Sequence, residues 1–280
     1  MARYICVTCG VQYPEAERPP DGCLICEDER QYVGWDGQQW TSLEAMRASG
    51  YRNRLAEEEQ GLTSILTEPR FAISQRAFVV RAPHGNLLWD CVAYLDQRTI
   101  EAVRALGGVA AIAVSHPHYY STIVEWSEAF GGVPVYIHAR DRAWVMHPSP
   151  CIVYWTGETM PALPGFELIN LGGHFAGGTV LHWPEGAEGR GVLLSGDVIQ
   201  VVQDRRSVSF MYSYPNLIPL ADAEVERIAA TIRPYRFDRI YGAFDRRQIV
   251  RNAGEAVQRS ARRYIEHLVG DAGQSGRRRS

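Results

Sequence analysis

The stretch S-H-P-H-Y-Y-S at residues 115–121 follows an apolar run, Val109–Val114. An uninterrupted apolar run of this length is typical of a strand buried on both faces. The loop after such a strand is where α/β proteins place binding and catalytic groups. Two histidines two residues apart can bind one ion if the backbone bends between them, and Pro117 fixes one φ angle there. We therefore expect His116 and His118 to be metal ligands, although a surface loop explains this pair equally well when it is taken alone.

Two further candidate ligands follow apolar strands later in the chain. A Gly-Gly pair directly precedes His174, and glycine allows the unusual turns that bring a backbone close to a ligand. The stretch L-S-G-D ends an apolar run at Asp197. An aspartate in this place can bind a metal or accept a hydrogen bond from a histidine. Because every candidate stands at the end of a strand, we expect these two residues to join the first two histidines around one ion.

These motifs, taken in order, resemble those of the metallo-β-lactamase superfamily. Its members carry His-x-His-x-Asp-His after a core strand, then Gly-His, then Gly-Asp, and a final His after the last strand. The resemblance covers residues 62–245 and implies an α/β fold, the αββα metallo-β-lactamase sandwich, which also suits the alternation of strand and helix patterns. The matching stretches are HGNLLWD at 84–90, SHPHYYS at 115–121, GGHFAGGTV at 172–180 and LLSGDVI at 193–199.

The chain departs from the superfamily pattern at the residues that bind a second metal in its dinuclear members. Tyr120 stands where the motif has Asp, Ser121 stands where it has the last His, and Phe244 stands near the position of the terminal His. Phenylalanine cannot bind a metal, and serine and tyrosine seldom do. We therefore predict a mononuclear centre; the sequence does not show whether Phe244 fills the vacated second site.

A centre of this kind predicts hydrolysis. Zinc held by three histidines with one open position turns bound water into hydroxide near neutral pH. We expect metal-bound hydroxide to attack an ester, thioester, lactone or phosphoester bond. Asp197 is either a ligand or the base that orients the water, and Tyr119 or Tyr120 donates a hydrogen bond to the developing oxyanion.

Two other functions remain open. The persulfide dioxygenases of the same superfamily bind one Fe(II) through two histidines and a carboxylate, and the resemblance places His116, His174 and Asp197 at those positions. A non-heme Fe(II) oxygenase is therefore the alternative, with iron in place of zinc. The second alternative is a metal-binding module without catalytic activity.

The N-terminal segment predicts a separate metal site. Cys6 and Cys9 form one C-x-x-C pair, and Cys23 and Cys26 form another. Two such pairs supply the four thiolates of a closed tetrahedral shell. The segment also resembles a rubredoxin or zinc-ribbon knuckle. Structural zinc is the favoured ion and redox iron is the alternative, while the role of the knuckle, whether docking or stability, stays open.

The chain divides into four parts by composition. We expect a four-cysteine knuckle over residues 1–40, a helical linker over 41–61, the metallo-β-lactamase-like domain over 62–270 and a disordered tail over 271–280. The linker prediction rests on a Thr-Ser cap and on the spacing of Leu43, Met46 and Leu55.

Two aromatic stretches are candidates for the substrate pocket. Residues 150–164 hold three prolines together with Tyr154 and Trp155, and we expect a long loop that covers the metal. Residues 203–219 hold Arg205 and Tyr212 soon after the Gly-Asp motif. We expect these four side chains to contact a small-molecule substrate, although a surface loop packed by its own aromatic residues explains the second stretch as well.

Composition and charge limit the kinds of binding partner that the sequence predicts. The chain has 280 residues and a net charge of −3, so it has no basic excess that predicts binding to nucleic acid or to a membrane surface. It has no apolar stretch of the length that spans a bilayer and no signal-peptide pattern at its start, which predicts a cytoplasmic protein. A homo-oligomer is compatible with the sequence, which does not fix the oligomeric state.

Overall fold

A computed structural model describes residues 1–270 of the chain, and the predicted disordered tail at 271–280 lies outside the described residues. The N-terminal segment forms a three-stranded sheet in the order β2-β1-β3 and two short helices. Its elements are β1 (Ala2–Cys6), β2 (Gln12–Ala16), α1 (Leu24–Glu27), β3 (Trp40–Thr41) and α2 (Leu43–Ala48).

A first large sheet of seven strands follows along the chain, in the order β10-β9-β8-β7-β6-β5-β4. Strands β4 to β7 pair antiparallel and β7 to β10 pair parallel. The strands are β4 (Arg52–Glu59), β5 (Leu62–Glu68), β6 (Arg76–Val80), β7 (Leu87–Trp89), β8 (Ala111–Ala113), β9 (Val135–His138) and β10 (Ile152–Trp155).

A second large sheet has six strands in the order β11-β12-β13-β14-β19-β20. The chain segment that connects β14 to β19 contains two small hairpins. Its strands are β11 (Thr159–Leu163), β12 (Phe166–Asn170), β13 (Thr179–Trp183), β14 (Val192–Gly196), β19 (Arg239–Gly242) and β20 (Gln248–Ile249). The hairpins consist of β15 (Gln200–Val201) with β16 (Val208–Ser209), and of β17 (Met211–Ser213) with β18 (Ile218–Pro219).

Helices cover the outer faces of both sheets, and this arrangement gives the αββα sandwich. The remaining helices are α3 (Gln97–Ala105), α4 (Ile123–Ala129), α5 (Gly186–Gly189), α6 (Asp222–Ile232) and α7 (Ala253–Val269), with 3₁₀ helices at Pro117–Tyr119 and Ala139–Trp144. Alternate residues of each central strand face opposite sides. Phe78 of β6 thus packs between the two sheets, whereas Val79 packs outward in the cluster that holds Trp126 of α4. Ile240 of β19 packs outward with Ile228 of α6.

The predicted helical linker is wrong over most of its length. Ser42 caps a helix by accepting a hydrogen bond from the Ala45 amide, but the helix ends at Ala48. Gly50 adopts a φ of +76°, which is typical of the residue that follows a helix C-terminus. Arg52–Glu59 then forms β4 and pairs along its length with β5. The sheet edge therefore overrides the weak helical spacing, because a paired strand satisfies backbone groups that a short helix cannot.

The predicted loop over residues 150–164 is also wrong. Ile152–Trp155 forms β10 at the edge of the first sheet, and Thr159–Leu163 forms β11 at the edge of the second. Prolines are tolerated in edge strands, where one side of the strand needs no amide donor.

None of the helices within residues 1–270 is both long enough and apolar enough to cross a bilayer.

Candidate metal centre

Three strand ends bring the four predicted ligands together. His116 follows β8, His174 follows β12 and Asp197 follows β14. The Thr179 amide donates to the Ser115 carbonyl at 2.9 Å, which ties the first of these loops to the start of β13. One ligand atom from each of His116, His118, His174 and Asp197 lies within 4.8 Å of every other. These four side chains are buried, with 1–4% of each residue exposed.

Hydrogen bonds orient the imidazoles toward one point. His174 Nδ1 lies 2.7 Å from the Tyr212 carbonyl; because that oxygen can only accept, Nδ1 carries the proton and Nε2 keeps its lone pair. His116 Nδ1 lies 3.0 Å from Ser115 Oγ, so its Nε2 also faces the centre. His118 presents Nδ1, which is 3.2 Å from His174 Nε2.

Burial sets the protonation state of the centre. Burial lowers the pKa of His116 and His118 well below the ordinary value, and repulsion from the neighbouring histidine His174 adds to this. Burial also lowers the pKa of His174. These imidazoles are therefore neutral near pH 7, which is the form that binds a metal. Burial raises the pKa of Asp197, and His174 opposes that shift.

The donor atoms fit one transition-metal ion. His116 Nε2 and Asp197 Oδ1 lie 3.1 Å apart, and both are buried without a hydrogen-bond partner among the described residues. Metal–nitrogen distances of about 2.0–2.1 Å place neighbouring donors of a tetrahedral ion roughly 3.3 Å apart. The 3.1 and 3.2 Å separations are close to that edge length. A cation at this point would satisfy His116 Nε2 and Asp197 Oδ1 together.

The three positions that would hold a second ion are engaged in other contacts. Ser121 Oγ accepts a hydrogen bond from Gln75 Nε2 at 2.9 Å, and the Ser121 carbonyl accepts one from the Gln12 amide at 3.0 Å. Tyr120 is buried in an apolar cluster, and Phe244 packs at the edge of that cluster while its backbone pairs with Gln75. Gln12 and Gln75 therefore engage Ser121, and Phe244 packs against the cluster that buries Tyr120.

The four cysteines form a second cluster with the geometry of a metal shell. Cys6 Sγ lies 3.5 Å from Cys26 Sγ, and Cys9 Sγ lies 3.6 Å from Cys23 Sγ. Disulfide sulfurs lie about 2.05 Å apart, so none of these thiols is paired. A tetrahedral ion with metal–sulfur distances of about 2.3 Å places its sulfurs roughly 3.8 Å apart. The cluster fits one ion, and Gln38 Nε2 donates to Cys6 Sγ at 3.2 Å.

The sequence analysis did not find the residues that cover the centre. The Phe175 ring lies 5.5, 4.9 and 5.0 Å from the rings of His116, His118 and His174. The guanidinium of Arg30 lies over Phe175, 3.9 Å from the ring centroid. The one available signal was the position of Phe175 directly after His174, since Arg30 stands in an acidic stretch without a recognisable motif.

The predicted substrate residues lie in different places. Tyr212 touches the centre through its carbonyl, and Tyr154 stacks with Arg142 at 4.1 Å. Trp155 lies in the core between the sheets beside His138. Arg205 lies in a surface turn with a φ of +52°. Within residues 1–270, no hydrogen bond or ring contact joins Trp155 or Arg205 to the four donors, and the substrate role of all four residues stays a prediction.

The layers and the motif order define a protein of the metallo-β-lactamase fold. Solved structures with this fold include VMB-1, with a TM-score of 0.60 and 12% identity over 78% of this chain and 99% of that chain. Another is the metallo-β-lactamase FIM-1 from Pseudomonas aeruginosa in a mono-zinc form, with a TM-score of 0.55 and 14% identity over 76% of this chain and 96% of that chain. Identities this low establish a shared fold and nothing further.

A close relative defines the family. The chain is 57% identical over 269 residues to YmaE of Bacillus subtilis (strain 168), a protein described as uncharacterized, and the match covers 96% of this chain and 97% of YmaE. The chain therefore belongs to the YmaE family. No protein-family model matches it.

Proposed function

We propose that this protein is a mononuclear metal-dependent hydrolase that acts on a small molecule with an ester, thioester, lactone or phosphoester bond. The observation that carries the proposal is the convergence of three neutral imidazoles and one carboxylate beside a second site whose positions hold Tyr120, Ser121 and Phe244. Three histidines and an open position are a usual donor set for catalytic zinc.

In this proposal each residue of the centre has its own task. His116, His118 and His174 would hold the ion, and a zinc ion in this place would supply Lewis acidity and lower the pKa of a water molecule from about 15.7 to roughly 7. Asp197 accepts the proton of the attacking water or orients it. Within residues 1–270 the Tyr119 hydroxyl is buried without a partner at hydrogen-bond distance. Burial, together with the nearby Asp197 carboxylate, raises its pKa well above the ordinary value, so it stays a hydrogen-bond donor for developing negative charge.

A non-heme Fe(II) oxygenase is the second candidate. Its support is the contact of 3.1 Å between His116 Nε2 and Asp197 Oδ1, which makes a set of His116, His174 and Asp197 available to iron. The burial of all four donors also suits a small co-substrate such as dioxygen.

Metal analysis tests the centre. We expect two ions in each purified chain, one for each cluster. His174→Ala should lose one ion and keep the ion of the four cysteines. His84→Ala is the matched control, since His84 is an exposed histidine in a turn and its replacement should leave both ions in place. A His174→Ala variant that retains both ions would show that these imidazoles do not form the site.

The identity of the bound ion and the reaction separate the candidate functions. Zinc together with turnover of a panel of chromogenic esters, thioesters, lactones and phosphoesters supports the hydrolase. Fe(II) together with oxygen uptake supports the oxygenase. If neither the zinc form nor the iron form turns over any substrate of the panel or takes up oxygen, the result supports a metal-binding module without catalytic activity and contradicts the proposed function.

A further inference from the structure

Arg30 joins the four-cysteine segment to the metal centre. It stands four residues after Cys26 and only 13% of its side chain is exposed. Its guanidinium lies 3.9 Å from the Phe175 ring centroid and 5.1 Å from the Trp144 ring centroid, and its NH1 donates to the His174 carbonyl at 3.3 Å. Stacking of arginine on an aromatic face is strongest where water is excluded.

Asp28 fixes the orientation of this arginine. Its carboxylate accepts hydrogen bonds from Arg30 Nε at 2.6 Å and from Arg30 NH2 at 2.9 Å. A two-point contact of this kind fixes the plane of the guanidinium. It also offsets the positive charge of Arg30, which lies close to the proposed cation.

Glu29, between these two residues, holds the other partner of His174. The Tyr212 hydroxyl donates to the Glu29 carboxylate at 2.7 Å, while the Tyr212 carbonyl orients His174. The Glu29 carbonyl accepts hydrogen bonds from Ser213 Oγ at 2.6 Å and from Asn216 Nδ2 at 2.7 Å. We call residues 28–30 the latch. The latch contacts the Phe175 ring, which covers the imidazoles, and strand β17, whose Tyr212 carbonyl orients His174.

We propose that Arg30 is a positioning residue of the metal centre: through Phe175 and His174 it holds the imidazoles in place and slows loss of the bound ion. This inference rests on the proposed metal centre. The inference also gives the four-cysteine segment a role, because this segment places the latch next to the proposed ion.

The sign of the effect separates positioning from simple electrostatics. Removal of a positive charge near a cation should strengthen metal binding if charge alone matters. Removal of a group that holds the ligands in place should weaken it, and loss of such outer partners typically costs roughly 10–100-fold in metal affinity. We expect the second result for Arg30→Met, which keeps an unbranched side chain but lacks the planar donors.

The experiment uses the full chain loaded with Co(II) at both clusters and then mixed with excess chelator. Thiolate-bound Co(II) has strong near-ultraviolet charge-transfer bands that Co(II) bound by nitrogen and oxygen lacks, so their decay follows the cysteine cluster. Total release is followed with a chromogenic chelator, and the part not matched by decay of the thiolate bands follows the histidine centre. We expect Arg30→Met to release the ion of the histidine centre about tenfold faster or more. We also expect its visible spectrum to change, because His174 loses its fixed orientation, while thiolate bands decay as in the wild type.

Arg3→Met is the matched control. Arg3 belongs to the same segment and forms an ion pair with Glu128 at 2.9 Å, on α4 rather than at the centre. Its replacement should leave both release rates unchanged. Tyr212→Phe removes only the hydrogen bond to Glu29 and should accelerate release in the same direction but by less, which tests the latch even if Arg30→Met folds poorly.

The outcomes distinguish this inference from the proposed centre. A wild-type chain that takes up Co(II) only at thiolates overturns the metal centre itself. A wild-type chain that loads both clusters, with Arg30→Met and Tyr212→Phe variants that release the ion at the wild-type rate or more slowly, overturns the positioning role alone.

Discussion

At the scale of single residues, Asp141 is a buried carboxylate that holds the loop after His174. It is 1% exposed, and its Oδ1 accepts a hydrogen bond from the Gly177 amide at 2.7 Å. Within residues 1–270 its Oδ2 has no hydrogen-bond partner. Burial raises the pKa of Asp141 from 3.8 to about 6. The carboxylate form is therefore costly in the folded chain.

Asp141 should make stability fall with rising pH. Because its pKa is higher in the folded chain, the folded state binds the proton more tightly. The resulting stabilisation is complete below about pH 3.8 and disappears as the pH rises through about 6. Between pH 5 and pH 8 this group should lower the free energy of unfolding by about 1 kcal/mol.

Urea unfolding of Asp141→Asn at these two pH values measures the effect. The variant should lose about 1 kcal/mol less than the wild type over this range, whereas Asp36→Asn, at an exposed site, should not differ from the wild type. Equal losses in Asp141→Asn and wild type would contradict the assigned pKa shift.

The sequence identified residues that belong to recognisable patterns and missed those that do not. His116, His118, His174 and Asp197 stand in short motifs at strand ends, so their convergence could be predicted. Arg30 and Phe175 contact the centre through a stack between segments that are distant in the chain. Such a contact depends on the docking of the knuckle, which no local pattern encodes.

At the scale of elements, the turn between β12 and β13 determines where His174 points. The Leu171 and Gly172 amides both donate to the Gly178 carbonyl, at 2.7 and 2.9 Å. A methyl group on Gly178 would lie 2.6 Å from the Gly172 carbonyl oxygen and 3.0 Å from that of Phe175. The backbone of this turn is too tightly closed to accept a side chain there.

Gly178→Ala should therefore destabilise the chain by about 1–3 kcal/mol, the usual cost of overpacking. It should also weaken metal binding at the histidine centre. Gly254→Ala is the matched control in α7, where the added methyl meets the Phe237 carbonyl oxygen at 3.4 Å and the Phe237 ring at 3.9 Å, both ordinary contact distances, and alanine favours the helix. Chemical unfolding of both variants measures the difference, and a Gly178→Ala variant as stable as the control would show that the turn relaxes freely.

Elements with strong patterns were predictable, and elements set by their neighbours were not. The apolar run Val109–Val114 predicts a buried strand, and Ala111–Ala113 within it forms β8, with every residue buried. Arg52–Glu59 is a strand only because β5 pairs with it, and its own residues are polar enough to fit a helix as well. The same holds for Ile152–Trp155, which becomes a strand through pairing with β9.

At the scale of the whole molecule, the four-cysteine segment is part of the main core. Cys9, Ile25 and Cys26 belong to the same apolar cluster as Ile112 and Trp126 of the sandwich. A segment that shares its core with the rest of the chain should unfold together with it. The order of the motifs predicted the sandwich, but the sequence did not show that the knuckle packs against it.

Calorimetry of the metal-loaded chain should accordingly show one unfolding transition. Cys9→Ser, which removes a buried ligand of the knuckle, should shift that whole transition downward. A loss of about 3 kcal/mol corresponds to a decrease in Tm of roughly 6–12 °C for a chain of this size. Two resolved transitions, with only the first one shifted, would mean that the knuckle and the sandwich unfold independently.

The central claim is that one ion lies among His116, His118, His174 and Asp197 while the neighbouring site stays filled by protein. Anomalous scattering from a crystal of the metal-loaded chain tests it most directly. The account predicts a single peak within bonding distance of the histidine donors and one further peak among the four cysteines. Two peaks about 3.5–4 Å apart at the histidine centre, the spacing of dinuclear sites, or no peak there, would contradict it.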